Sequence, residues 1–174
     1  EQIASLGSNL LIITPGQRMG MGQRSAAPAF DEDDIEALRR DIASIAAIAP
    51  NSTGATTAVY GNENWSTSVN GTDNAFFTVG NWDLATGRRF ADNELRAGKA
   101  VCILGETVRK ALFGGQDPLG ESIRLEKLAC EVIGVLAEKG QSSRGSDQDD
   151  TIVMPLRTFQ RRIAGNQDIR VLRV

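Results

Sequence analysis

The stretch from Lys99 to Gly140 constrains the fold most, because turn chemistry, charge placement and apolar patterning agree there. Ala100-Val101-Cys102-Ile103-Leu104 is an unbroken apolar run, which predicts a short strand buried on both faces. A helix is expected next, with Glu106 in its first turn, Lys110 one turn later, and Val108 and Leu112 on one face. Gly114-Gly115 stops it. Asp117-Pro118-Leu119-Gly120 has the residue preferences of a type I turn: Asp at the first position, Pro at the second and Gly at the fourth. Ser122-Ile123-Arg124-Leu125 then alternates polar with apolar, Glu126-Lys127 forms a turn, and Ala129 to Ala137 reads as the returning strand of a hairpin. Strand, helix and hairpin together predict an α+β architecture.

Composition narrows the function classes. The chain has 174 residues, enough for one domain or two small ones, and a packed core is expected. A net charge of −3, no basic block and only 5% aromatic residues leave no nucleic-acid footprint, so nucleic acid is not an expected partner. Histidine is absent, which removes Ser/His/Asp and Cys/His catalysis and the histidine-containing metal sites; no catalytic, cofactor or metal residue is named, and an enzyme is not expected. Apolar runs such as Leu10-Leu11-Ile12-Ile13 fall short of the roughly 18 residues a membrane helix needs. The chain starts at Glu1 with no signal peptide and reads as a segment of a longer polypeptide. Cys102 and Cys130 both fall in expected strands, as two small buried hydrophobes or as a strand-to-strand disulfide.

Along the chain, Ile3 and Leu6 suggest the tail of a helix, Leu10 to Thr14 a strand, and Pro15 to Ala29 a Gly/Ser/Pro-rich loop. That loop lacks the Gly-Lys-Ser/Thr and third glycine of nucleotide fingerprints. Asp31 is the expected N-cap of a helix with Glu32, Asp33 and Asp34 in its first turn and Ile35, Leu38, Ile42 and Ile45 on its apolar face; Pro50 ends that segment. From Asn51 to Asn74 the composition shifts to Thr, Ser, Asn and Gly, as in antiparallel strands with turns at Gly61-Asn62 and Asn70-Gly71. The Asn-x-Ser/Thr triplets at Asn51, Asn64 and Asn70 are expected by chance in such a segment. Phe76, Phe77 and Trp82 suit core packing, and Ala85 to Phe90 a turn carrying two cations. Gln141 to Asp150 reads as a solvated loop whose Asp147, Asp149 and Asp150 lack the glycine and terminal Glu of a calcium loop. Thr151 to Met154 is an expected strand, Pro155 opens a helix bearing Leu156, Phe159 and Ile163 on one face, and Asp168 to Val174 is a closing strand.

Several stretches, in order along nearly the whole chain, resemble the periplasmic core domain of MacB-type ABC transporter permeases. They are Leu6-Gly7-Ser8-Asn9-Leu10-Leu11 with Pro15-Gly16, Gly87-Arg88-Arg89-Phe90, Leu104-Gly105 leading to Leu112-Phe113-Gly114 and Asp117-Pro118-Leu119-Gly120, and Val132-Ile133-Gly134-Val135-Leu136 with Lys139-Gly140. Asp149-Asp150-Thr151-Ile152-Val153-Met154-Pro155-Leu156 fits the segment before the family's last helix. The resemblance implies two lobes: a βαβ-type terminal lobe from residues 1–50 and 128–174, incomplete at its C-terminal side, and an inserted β-rich lobe with one helix from residues 51–127. It also implies a place between the first two membrane helices of a permease in the bacterial inner membrane.

The function implied is mechanical. ATP hydrolysed by a separate cytoplasmic domain or subunit moves the membrane helices, and the extracytoplasmic domain passes that motion on and docks a periplasmic adaptor (membrane fusion protein) for efflux. The alternative is the periplasmic binding module of a lipoprotein-releasing transporter. No cofactor is implied, the isolated piece is expected to be monomeric, and a homodimer only in the full-length transporter. Asp117, Pro118, Leu119, Gly120 and Gly134 are the structural motif, with the Lys99–Gly140 stretch as a stiff joint between lobes.

Overall fold

The computed structural model describes residues 12–14, 29–41, 48–142, 145–164 and 171–173. In chain order they form β1 (Ile12–Ile13), α1 (Glu32–Asp41), β2 (Ala49–Tyr60), β3 (Glu63–Thr72), α2 (Ala75–Val79), β4 (Leu84–Gly87) and α3 (Asp92–Ala97). There follow β5 (Val101–Leu104), α4 (Glu106–Phe113), β6 (Ser122–Leu125), β7 (Leu128–Leu136), β8 (Thr151–Pro155), α5 (Leu156–Phe159) with a π-helical turn Gln160–Ala164, and β9 (Val171–Arg173). The expected α+β class holds: one mixed sheet runs β1-β9-β2-β3-β8-β5-β7-β4, with helices packed on it. The expected helical tail at residues 1–6 and nearly all of the loop at 15–29 lie outside the described residues.

The sheet closes on itself. β6 pairs with both β7 and β2, so β2, β3, β8, β5, β7 and β6 form a ring of hydrogen-bonded neighbours. Two of these pairings, β3 with β8 and β5 with β7, are parallel. The joint between β2 and β6 is slight, with Ala58 opposite Leu125 and Val59 opposite Arg124. At its other end β2 pairs through Ala49, Pro50 and Asn51 with β9, which carries β1. The boundaries expected at 50/51 and 127/128 fall inside β2 and in the turn between β6 and β7, and hydrogen-bonded pairing runs through both.

Apolar alternation explains the layering. β5 sends Cys102 and Leu104 into one core with Val108, Leu112 and Phe113 of α4 and Phe159 of α5. Its other face puts Val101 and Ile103 among Phe76, Phe77, Trp82 and Phe90. That two-sided burial is what an unbroken apolar run predicts. Phe76 and Trp82 stack with centroids 6.2 Å apart, so these rings fill a core, as expected. A third, small cluster buries Ile35 and Ile48 beside the partly buried Ile13, Phe30, Leu38 and Leu156. Cys102 and Cys130 are free thiols without exposed surface in the first core; no disulfide joins them, and burial pushes the Cys102 thiol well up.

Helix α1 begins as its sequence demands: Asp31 Oδ1 accepts the Asp34 N–H at 2.9 Å, and Asp34 Oδ2 accepts the Asp31 N–H at 3.0 Å. The β2–β3 turn lies at Gly61-Asn62, with Gly61 at φ 57° as a glycine-first hairpin turn requires. Some expectations need correction. Pro50 lies inside β2, which begins at Ala49, and is paired with Leu172. Asn70-Gly71 is no turn; both residues sit inside β3, paired to β2 and β8. Gly71 is there for space, since a Cβ would stand 2.4 Å from Phe159 Cβ. Residues 92–97 form a helix the apolar pattern did not signal, and in 141–150 Gln141, Gly145, Ser146 and Asp147 are exposed as expected, whereas Asp149 is buried and accepts the Lys139 and Gly140 N–H groups.

Candidate functional site

The motif residues come together on β7. Asp117 Oδ1 accepts the Leu119 N–H at 3.1 Å, and the carbonyl of the buried Pro118 accepts the Glu121 N–H at 3.1 Å. The hydrogen-bonded turn is therefore Pro118 to Glu121, one residue later than expected, and Gly120 takes its third position at φ 82°, as a type II turn needs. Gly120 donates its N–H to the Val132 carbonyl at 2.9 Å, while Val132 donates to the Glu121 carbonyl at 2.8 Å. The turn is thus clamped to β7 two residues before Gly134.

Gly134 lies where strands crowd. It is paired with Ile103 of β5 and Gly87 of β4, and a Cβ there would meet the Arg88 carbonyl at 3.1 Å. Gly87 is tighter still: at φ 82°, its Cβ would sit 2.2 Å from the Ile133 carbonyl oxygen. Gly105, between β5 and α4, would bring a Cβ within 2.0 Å of the Asp149 carbonyl oxygen. These contacts let backbones approach more closely than side chains permit.

Charged side chains lock the same region. Arg88 grips Glu94 with two hydrogen bonds of 2.6 and 3.1 Å, and Glu94 also accepts the Ala91 N–H at 2.8 Å. Glu94 is 6% exposed, and its bond from Arg88 holds its carboxyl below the ordinary range. Sequence reading placed Arg88 in a turn and missed Glu94, because the N-cap is Ala91, not the Ser or Thr that marks a capping box. From α5 and the turn after it, Arg157 donates to the Arg96 carbonyl at 2.7 Å and Arg161 to the Ala97 carbonyl at 3.3 Å, cations at the C-terminal end of α3.

The acids of 141–150 are each taken up by protein donors. Asp149 accepts the Lys139 and Gly140 N–H groups at 2.8 Å each, Asp147 accepts the Thr107 hydroxyl at 2.6 Å, and Asp150 accepts Trp65 Nε1–H at 2.9 Å and the Thr67 hydroxyl at 2.7 Å. Among the described residues no group of three or more His, Cys, Asp or Glu is arranged to hold a metal ion. Lys139 lies 4.1 Å over the Trp82 ring and donates to the Gly80 carbonyl, and Arg173 lies 5.5 Å over Phe76; burial lowers the pKa of both cations. Of the triplet asparagines, Asn51 and Asn70 are buried, with Asn51 Nδ2 donating to Asn70 Oδ1 at 3.2 Å, so neither is open to a glycan. The arrangement is a set of backbone crossings and clasps, suited to holding strands in fixed relation.

The family description MacB-like periplasmic core domain matches residues 1–173. The chain belongs to that family. Across 174 residues this MacB-like domain is 36% identical to the macrolide export ATP-binding/permease protein MacB of Wolinella succinogenes, covering 100% of the chain and 27% of the relative. Over 168 residues it is 36% identical to the protein of the same name from Bdellovibrio bacteriovorus, covering 95% of the chain and 26% of the relative. The chain therefore spans about a quarter of the length of these curated relatives. The crystal structure of the periplasmic region of MacB from Actinobacillus actinomycetemcomitans has a TM-score of 0.78 at 25% identity, covering 100% of this chain and 77% of that one. The extracellular domain of the ABC-type transporter YknZ from Gram-positive bacteria shares the fold, with a TM-score of 0.76 at 24% identity over 95% of this chain and 82% of that one. The MacB-like domain is a periplasmic part of an ABC transporter permease. Among its described residues no helix is long and apolar enough to cross a membrane.

Proposed function

We propose that this domain passes ATP-driven motion of the transporter's membrane helices to a periplasmic adaptor that it docks, for efflux. The observation that carries the reading is the continuity of β2: its first residues are bonded to β9, and its remaining length belongs to the closed ring. A displacement entering at β1 and β9 reaches the ring through one unbroken strand, without a flexible linker between them. The crossings at Gly87, Gly105 and Gly134 and the Arg88–Glu94 clasp support transmission of a push instead of its absorption. Efflux is favoured over lipoprotein release by the names of the relatives, which are macrolide export proteins. ATP hydrolysis belongs to another part of the transporter, and dimerisation to the full-length assembly.

The test uses the full-length protein with its ATPase and adaptor in a bilayer. Deleting residues 9–174 is expected to leave ATP hydrolysis measurable and to abolish both adaptor binding and export. Undiminished export after the deletion would overturn the reading.

A further inference from the structure

A cavity of about 210 Å³ lies between α1 and the body of the sheet. Ile35, Leu95 and Leu156 give it apolar walls, and Pro50, Thr72 and Asp73 lie on the sheet side. Its volume is below the roughly 300 Å³ at which sites for drug-sized ligands begin, so a small occupant fits.

Charge narrows the occupant further. Among the described residues, the carboxylates of Glu32, Glu36 and Asp73 and the guanidinia of Arg39 and Arg157 line the cavity. Both guanidinia are already engaged by backbone: Arg39 donates to the Ile48 carbonyl at 3.2 Å, and Arg157 to the Arg96 carbonyl at 2.7 Å. Arg157 also stands 4.0 Å from Glu32. Glu36 and Asp73 have no ion-pair partner among the described residues. The Thr72 hydroxyl is spent on the Pro50 carbonyl at 2.6 Å, whereas Asp73 accepts the Ala75 N–H at 2.9 Å through Oδ1 alone. Burial pushes the Asp73 carboxyl above its ordinary range, against the pull of the Ala75 N–H and the Arg39 charge. A half-buried carboxylate short of a cation is costly, and an ammonium at hydrogen-bond distance offsets that cost. An anionic ligand would meet the reverse, with the guanidinia in use and acids in excess.

We propose that this cavity binds a small aliphatic ammonium ion, its charge on the Asp73 carboxylate and its alkyl chain along Ile35, Leu95 and Leu156. An occupant held this way touches both α1 and the sheet and fastens one to the other. Binding here requires neither adaptor nor nucleotide.

The experiment is hydrogen exchange in α1 of the full-length protein, with pentylammonium chloride as the probe and sodium pentanoate and pentanol as comparisons. A ligand this small is expected to bind with a Kd of about 1 mM, so about 10 mM pentylammonium slows exchange at residues 36–39 about tenfold. Pentanoate and pentanol are expected to slow it less than about twofold. Asp73→Asn keeps an acceptor for the Ala75 N–H and is expected to abolish the slowing. Leu95→Phe, which fills the cavity, is expected to do the same. Exchange unchanged by pentylammonium, equal slowing by pentanol, or full slowing retained in either variant overturns the proposal. If a variant fails to fold, the three probes on the unaltered protein decide, because only a carboxylate site separates the ammonium from the alcohol and the acid.

Discussion

The ring and the terminal segment are built on opposite terms. The ring has a continuous core from Ala58 through Leu104, Leu112 and Met154 to Phe159, and its strands cross where only glycine fits. Among the described residues, the terminal segment of β1, β9 and α1 buries Ile35 and Ile48 beside the partly buried Ile13, Phe30, Leu38 and Leu156, with a cavity of about 210 Å³ between α1 and the Pro50, Asp73, Leu95 and Leu156 side. One ion pair spans that gap, Arg157 to Glu32 at 4.0 Å between exposed side chains, worth at most about 1 kcal/mol. In the ring, rigidity follows from how closely backbones approach.

The harshest way to break the comparison is a methyl group at a ring crossing. Gly87→Ala adds a Cβ 2.2 Å from a carbonyl oxygen at a left-handed φ, and is expected to cost more than about 4 kcal/mol in urea unfolding. A loss under about 1 kcal/mol would show that the ring yields locally. Next comes the Gly71 and Phe159 contact. Phe159→Ala is expected to cost about 3 to 5 kcal/mol and Gly71→Ala about 1 to 3, but Gly71→Ala should cost far less once Phe159 is Gly, because the closest clash is with the Phe159 Cβ, which alanine at 159 would keep. A double-mutant cycle with additive losses would refute the shared-space explanation.

For the terminal segment, Ile35→Ala is expected to cost about 2 kcal/mol locally, read as faster hydrogen exchange in α1 while the main unfolding midpoint stays in place. A full shift of the midpoint would join α1 to the ring as one cooperative unit. The smallest effect is at the clasp. Glu94 is held below its ordinary pKa, so its stabilisation is present above the unfolded value and is lost as pH falls through the depressed folded value. Glu94→Gln is therefore expected to cost about 1 to 2 kcal/mol at pH 7 and to flatten the decline of stability under acid. An unchanged acid limb in the variant would assign that decline to other groups.

Local features were legible in the sequence, and the ring was not. The reciprocal Asp31 and Asp34 cap, the β5 run, α4 and the β6–β7 hairpin are written in adjacent residues, where capping and periodicity act. Glycines divide by cause: Gly61 and Gly120 serve turns and announce themselves through neighbours, whereas Gly71 and Gly105 make room for Phe159 and Asp149, far away in sequence. Reading Asn70-Gly71 as a turn confused these two uses. In 141–150 polar composition rightly suggested an exposed loop, but not that Asp150 would bond Trp65 and Thr67 or Asp147 bond Thr107, because those partners lie on other elements.

The ring also sets a condition on folding. Val69 pairs with Ile152, so β3 gains its parallel neighbour only when β8, the last strand of the ring in the chain, is in place. Before that the β2–β3 hairpin has its second edge bare, a template for unwanted pairing with other chains. Its run of Thr, Ser and Asn, poor in large apolar side chains, makes that interval safer than a Val- and Ile-rich hairpin would.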